Sequence, residues 1–328
     1  MENKRLLLIC PHFFGYHLAI SEAFERLGYE VICFDDRPST KKIVKLLLRI
    51  NHSFLPGLRN SYYKRIYTSV KEKGVDIVLI IDGQSISKKF LSHLKSLCPS
   101  ARFIYYLWDS LNNFKFCLKF LPFFDICYSY EKKDCEAHKE LHYLPTFYRR
   151  EYALKDSNNE HSYIASFIGT TRPKKYQFAE TIKKAFKEYG YDNIYTYYYL
   201  PSKLMFWLYK ITDRRFKGAS IHDFHFKTIS NDEVIKIYDN SLAVIDSPPD
   251  GQEGVTVRCY EAFAMKKKII TNNPNVKDII GLDNNALVYP FNEAELREFI
   301  SSKIAVKDDF YRTYSIDTFC ENIISDNK

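Results

Sequence analysis

Short apolar runs alternate with amphipathic stretches along almost the whole chain. Leu6 to Cys10, Glu30 to Phe34, Val75 to Ile81, Phe103 to Leu107 and Ile126 to Ser129 read as strands, followed by a short one at His142 to Leu144. Between them, Ala19 to Leu27 follows helical spacing and ends at Gly28; Ser87 to Leu97 does the same with Ser87 in the capping position, as does Glu131 to Glu140. Continuous apolar strands separated by helices predict parallel sheets built from βαβ units, because such strands are covered on both faces.

A polar stretch from Arg149 to His161, containing Lys155-Asp156-Ser157-Asn158-Asn159-Glu160, interrupts this alternation and reads as a linker. Beyond it come strands at Ile164 to Ile168, Ile194 to Tyr199, Asp223 to Phe226, Leu242 to Ile245, Lys268 to Thr271 and Ala286 to Tyr289. Helices are expected at Lys174 to Tyr189, at Asp232 to Asp239 capped by Ser230 or Asn231, at Val255 to Met265, Glu293 to Lys303 and Asp309 to Ile323. The expected class is α/β, with two doubly wound Rossmann-like domains facing a central cleft. Domain one spans 1–148, the linker 149–161 and domain two 162–308, with 309–328 a C-terminal helix packing back toward domain one. The 328 residues, 46% of them hydrophobic, suffice for two cores. Ligands are expected at the carboxyl ends of the strands.

Charge and cysteine usage narrow the classes. Eight cysteines without CxxC spacing, several inside apolar runs, predict packed thiols in a reducing, cytoplasmic protein. No secretory leader and no apolar run long enough to span a bilayer can be read. The net charge of +8 is uneven: from Lys41 to Lys71 there is no acidic residue, and eight basic ones are interleaved with apolar side chains such as Leu46, Phe54, Tyr62 and Tyr63. That mixture suits an anionic membrane surface, and equally a solvated basic helix on an ordinary enzyme. Leu204 to Phe216, with Trp207 among its aromatics and Lys210, Arg214 and Arg215 beside them, suits a membrane interface or a domain-packing helix, the second being preferred. No DNA- or RNA-binding module can be read, so nucleic acid is not an expected partner.

The segment Asp250-Gly251-Gln252-Glu253-Gly254-Val255-Thr256-Val257-Arg258-Cys259-Tyr260-Glu261-Ala262-Phe263 follows a strand and opens a helix. Amides from Gly254 to Thr256 would form an anion site suited to a diphosphate. Glu261 is placed to accept from ribose hydroxyls, and Glu253 to face a sugar. Glu253 and Glu261, with seven residues between them, together with strand Ile269 to Thr271, resemble the E-x7-E region of GT-B fold glycosyltransferases. Within that fold the likeness runs to the cell-surface polysaccharide branch related to CgeB-type proteins, with its G-x-T-x-R-x-x-E-A pattern. The resemblance covers the second half of the chain; the first half matches only as a pattern of strands. The GT-B glycine between this helix and the next strand is replaced by Met265-Lys266-Lys267-Lys268.

The resemblance implies a transferase, of hexosyl or deoxyhexosyl type, that uses a nucleotide diphosphate-sugar. Its donor residues would be Glu253, Gly254, Val255, Thr256, Arg258 and Glu261, joined by Gly169 and Arg172 and by Lys174 or Lys175, in Ser166-Phe167-Ile168-Gly169-Thr170-Thr171-Arg172-Pro173-Lys174-Lys175. It implies no cofactor and no metal, and no D-x-D triad stands at a strand end. The acceptor would be a lipopolysaccharide, O-antigen or capsule glycan, free or lipid-linked, at the cytoplasmic membrane face. Candidate bases at strand ends in the first half are His12, Asp82 in Asp82-Gly83-Gln84, and Asp109; each type also occurs in packing or capping roles. E-x7-E occurs in retaining and inverting enzymes, so the stereochemistry stays open. A polysaccharide-binding protein without activity and a sugar-nucleotide epimerase are the alternatives on the same fold.

Overall fold

A computed structural model describes residues 4–38, 56–83, 85–153, 161–282 and 284–325. The chain forms two compact units, residues 1–145 with 316–328, and residues 146–315. In the first unit, β1 (Lys4–Cys10), β2 (Tyr29–Asp35), β3 (Ile77–Ile81), β4 (Arg102–Leu107), β5 (Ile126–Ser129) and β6 (Leu141–Tyr143) make one parallel sheet in the order β2-β1-β3-β4-β5-β6. The order reverses direction between β1 and β3. In β3 all five side chains are buried, as a strand covered on both faces requires. Ser87 caps helix Lys88–Leu97 by accepting from the Phe90 amide at 3.2 Å.

In the second unit the sheet runs β12-β11-β10-β7-β8-β9, again all parallel. Its strands are β7 (Tyr163–Thr170), β8 (Ile194–Tyr199), β9 (Phe224–His225), β10 (Ser241–Asp246), β11 (Lys268–Thr271) and β12 (Ala286–Val288). Alternate residues feed two cores: Ile168, Val244 and Ile269 face one, and Phe167, Ile245 and Ile270 face the other. Each fully buried aliphatic chain contributes roughly 1.5–3 kcal/mol. The order reverses between β7 and β10, the strands whose ends carry the glycine-ended loop and Asp246. These two parallel six-stranded sheets with alternating helices are the two doubly wound, Rossmann-like domains of the GT-B fold.

Three features depart from the pattern in the sequence. The single helix expected at Asp309 to Ile323 is two, Asp308–Tyr314 and Ile316–Ile324, broken at the extended Ser315 where the chain returns to the first unit. There Ile316–Ile324 packs on helix Tyr16–Arg26, with Arg26 bound to Asp317 at 2.6 Å. The expected linker is partly structured: Arg150–Ala153 is a helical turn of the second unit, while 154–160 lie outside the described residues. Of the acid-free stretch, residues 41–55, with Lys41, Lys42, Lys45 and Arg49 among them, lie outside the described residues too, and 56–71 fall in helix Pro56–Lys73. Tyr62 and Tyr63, which the membrane-surface reading would have turned outward, are buried against Phe34 and Phe90, because this helix needs an apolar face to dock on the sheet.

The missing GT-B glycine has a structural counterpart. Lys266 takes φ 57°, the left-handed conformation that favours glycine, and its side chain is exposed. Its neighbours Lys267 and Lys268 are buried, and Lys268 donates from Nζ to the Ile300 and Ser302 carbonyls, stopping helix Glu293–Ser301. We therefore expect Lys266→Gly to stabilise the chain by about 0.5–1 kcal/mol, read as an upward shift of the thermal midpoint; an unchanged or lowered midpoint would contradict the strain assigned to this turn.

Candidate functional site

The second unit gathers charge at the reversal point of its sheet. Asp246, the last residue of β10, is 1% exposed. A buried carboxylate needs partners, and three come from the start of helix Val257–Ala264. Arg258 donates to Asp246 Oδ1 at 2.8 Å, Thr256 Oγ1 donates to Oδ2 at 2.9 Å, and Cys259 Sγ lies 3.6 Å from Oδ2. Thr256 holds the N-cap position, yet its hydroxyl makes no cap hydrogen bond; it is turned to Asp246 instead. The helix starts two residues later than the expected Val255, so its leading amides are those of Val257 and Arg258.

Gly169, near the end of β7, leaves room for this arrangement. A Cβ there would stand 2.8 Å from an Arg258 guanidinium nitrogen, so the glycine serves close approach. The loop beyond β7 adds Arg172, exposed, and Lys175, half-buried on helix Pro173–Glu188. Burial, with repulsion from Arg258 and Arg172, brings the Lys175 ammonium down to about 8 against the attraction of Asp246. Neither the Arg172 nor the Lys175 side chain has a hydrogen-bond or ion-pair partner among the described residues. Lys174, the other cation considered, pairs with exposed Asp250 at 3.2 Å. Arg258 is paired with the buried Asp246 carboxylate, Lys175 lies within its attraction, and Arg172 is close enough to repel Lys175, so positive charge exceeds negative here and suits an anion.

The two glutamates separate in role. Glu253 is exposed, in a loop pinned by Asn273 and Asn275, whose side-chain amides donate to the Glu253 carbonyl at 2.9 and 3.0 Å. Asn273 also donates to Gly254, which is buried, and the Val255 carbonyl accepts from Thr146 at 3.4 Å. Glu261 is 4% exposed, as is Arg149, whose Nε donates to Glu261 Oε1 at 2.7 Å. Arg149 also donates to Tyr152 and Asn231. Arg258 pairs with Asp246 rather than with Glu261 three residues on, and Glu261 pairs with Arg149. Asp246, Arg149 and Asn273 were not singled out by sequence, and Asn231 was named only as a possible helix cap, a place that Ser230 takes. Only the position of Asp246 at a strand end was a signal.

In the first unit, three strand-end loops are tied together. Trp108, after β4, packs on Phe13 and Tyr16 of the loop and helix after β1, and Asp82, after β3, accepts from the Trp108 amide at 2.7 Å. Asp82 has φ 57° and Gly83 φ 65°; a Cβ on Gly83 would strike Ile80 and Ile86 at 2.9 Å. Burial, then the nearby Asp109 and Asp36 charges, push the Asp82 carboxyl well up. Gln84 lies outside the described residues. Asp109 accepts from the Ser110 amide and the Asn113 side chain, and it is Ser110 that caps the helical turn Leu111–Phe114. His12 stacks on His17 at 3.8 Å with Nε2 3.6 Å from Cys33 Sγ. The Cys33 thiol is drawn to about 6 by hydrogen bonds from Cys10, His12 and Ser21 against its burial, and the Cys10 thiol moves well up.

No protein-family model matches the chain, and no curated protein matches its sequence. Solved structures do resemble it. A UDP-GlcNAc 2-epimerase from Methanocaldococcus jannaschii, in complex with UDP-GlcNAc and UDP, is 13% identical over 98% of both chains, with a TM-score of 0.55. OtsA in its apo form is 12% identical over 98% of this chain and 99% of its own, with a TM-score of 0.59. The lipopolysaccharide outer core galactosyltransferase WaaB is 13% identical over 97% of both, with a TM-score of 0.48. For the epimerase and OtsA, at these identities, the likeness is one of fold, in agreement with the two sheets described above.

Lys175 gives the site a testable pH signature. Its charge is present below about pH 8 and lost above it, so affinity for a nucleoside diphosphate should fall as pH rises from 7 to 9. The loss expected is about 5- to 10-fold, the scale of one charge-assisted contact. Calorimetric titration should show this fall in the native chain and a flatter, weaker profile for Lys175→Met. Parallel profiles would place Lys175 outside the anion site.

Proposed function

We propose that the chain is a glycosyltransferase. It takes a nucleotide diphosphate-sugar in its second unit and transfers the sugar to a lipopolysaccharide, O-antigen or capsule glycan, free or lipid-linked, at the cytoplasmic membrane face. The observation that carries this reading is the excess of positive charge where Arg258 pairs with buried Asp246 and Lys175, with Arg172 close to it, lies within reach of the same carboxylate, at the reversal point of a doubly wound sheet. As the glycosidic bond breaks, negative charge builds on the departing diphosphate, and cations held in place beforehand stabilise it without reorganisation. Such a site needs no divalent ion at the diphosphate. On this reading Glu253, exposed in its pinned loop, faces the sugar, and the paired Glu261 orders the helix beneath the ribose.

The acceptor side rests on the strand-end loops of the first unit. Among the candidate bases, Asp82 is buried, and burial with the nearby Asp109 and Asp36 charges pushes its carboxyl well up, the kind of perturbation that functional carboxyls carry. An epimerase shares the fold, and product analysis separates the two. With a panel of UDP-, dTDP- and GDP-sugars, a transferase releases nucleoside diphosphate in proportion to added acceptor and leaves the unreacted donor unchanged. An epimerase changes the donor sugar with no acceptor present, and that outcome would overturn our reading. Titration with the matching nucleoside diphosphate should show Arg172→Ala weaker by about tenfold, near 1.4 kcal/mol; an unchanged affinity would remove Arg172 from the site.

Membrane contact is supported by helix Lys203–Thr212 rather than by Tyr62 and Tyr63. Phe206 is buried on one side of it, while Leu204, Trp207, Leu208 and Ile211 are 79%, 51%, 50% and 82% exposed on the other. Their spacing forms one apolar stripe, with exposed Lys203, Arg214 and Lys217 beside it. A basic-flanked stripe suits the surface of an anionic bilayer. No helix among the described residues is long and apolar enough to cross a membrane. Co-sedimentation with phosphatidylglycerol-containing vesicles should fall at least about fivefold, near 1 kcal/mol, in Leu204→Ser/Ile211→Ser. Equal binding of native and variant chains would dismiss this face.

A further inference from the structure

We propose that Cys10, His12 and Cys33 form a site for one thiophilic divalent cation, zinc by chemistry, at the carboxyl ends of β1 and β2. This goes beyond the transferase reading and lies in the other unit. The ligand atoms of the three residues all lie within 4.8 Å of one another, and Cys33 Sγ stands 3.6 Å from His12 Nε2. Tetrahedral zinc, with metal–sulfur bonds near 2.3 Å and metal–nitrogen bonds near 2.0–2.1 Å, sets ligand–ligand separations of about 3.5–3.8 Å. The observed sulfur–nitrogen separation already falls in that range.

The sequence carries no metal motif because the ligands come from two strands. In the parallel register Leu8 lies opposite Cys33 and Cys10 opposite Asp35, so the two thiols share a face one step apart. Pro11 then turns the chain, and His12 comes back over them. The His12 ring is backed by His17, stacked at 3.8 Å with planes 14° apart, while the buried His17 Nδ1 has no hydrogen-bond partner. Cys10 is 1% exposed, whereas Cys33 and His12 are half-buried, so a cation here would have protein beneath it and a fourth position toward the open side.

Binding would take Cys10 and Cys33 as thiolates, releasing their protons to solvent, with neutral His12 coordinating through Nε2. A metal-bound Nε2 cannot accept a proton from an acceptor hydroxyl. The site therefore removes His12 from the candidate bases and leaves Asp82 and Asp109.

The full chain, reduced and freed of metal, should be titrated with Co²⁺ and then Zn²⁺. We expect one equivalent of Co²⁺ to give the near-ultraviolet thiolate charge-transfer band and the visible bands of a tetrahedral site, and Zn²⁺ to displace it. Cys33→Ser should lose the charge-transfer intensity and weaken zinc binding by about 100-fold or more, while Cys135→Ser keeps both. As a measurement on the native chain, zinc should slow alkylation of Cys33 but not of Cys135. Absence of the band in the folded native chain would overturn the proposal. So would a chain that forms a Cys10–Cys33 disulfide in air and takes up no cobalt once reduced.

Discussion

The carboxylate of Asp246 governs the second unit because it is buried at a strand end where a charge cannot stay unpartnered. Its two oxygens are met by Arg258 and Thr256 from the following helix, which fixes how that helix leaves the sheet. Arg258 in turn occupies the space beside Gly169, so a side chain on β7 would disturb a contact made from β10. The carboxylate neutralises one cation of three. Breaking a buried pair of this kind by removing one partner costs about 3–5 kcal/mol, so Asp246 serves fold and site together.

A second buried pair supports the same helix from its other end. Arg149 reaches Glu261 from the chain that enters the unit, and its remaining donors are taken by Tyr152 and Asn231. The Asn273 clamp then fixes the loop that carries Glu253. Each device ties a segment distant in sequence to one short helix, so the loop and helix are held in place before any ligand arrives. Pre-organisation of this kind gives fixed charges their value in transfer chemistry.

Much of the fold was legible because burial imposes periodicity. The runs at Ile126 to Ser129, Ile194 to Tyr199 and Lys268 to Thr271 gave strands with those bounds, and Ser87 caps the helix it was expected to cap. The break at Ser315 was hidden because both flanking segments are amphipathic and no proline or glycine marks it. Arg149 was hidden for another reason: it sits in a polar stretch and finds its carboxylate far along the chain. Periodicity reports which face is buried, not which distant charge meets which. Arg172 and the neighbouring lysines were named through the resemblance to a family loop, whereas nothing of that kind marked Asp246, which organises Arg258 and attracts Lys175.

Whether the charge around Asp246 receives a diphosphate is decided by a crystal structure of the chain with a bound nucleoside diphosphate. The account predicts phosphate oxygens within about 3 Å, hydrogen-bond distance, of at least two of Arg172, Lys175 and Arg258, with the phosphates toward the start of helix Val257–Ala264. A nucleotide bound with its phosphates away from these residues, and Arg258 still held by Asp246, would contradict it.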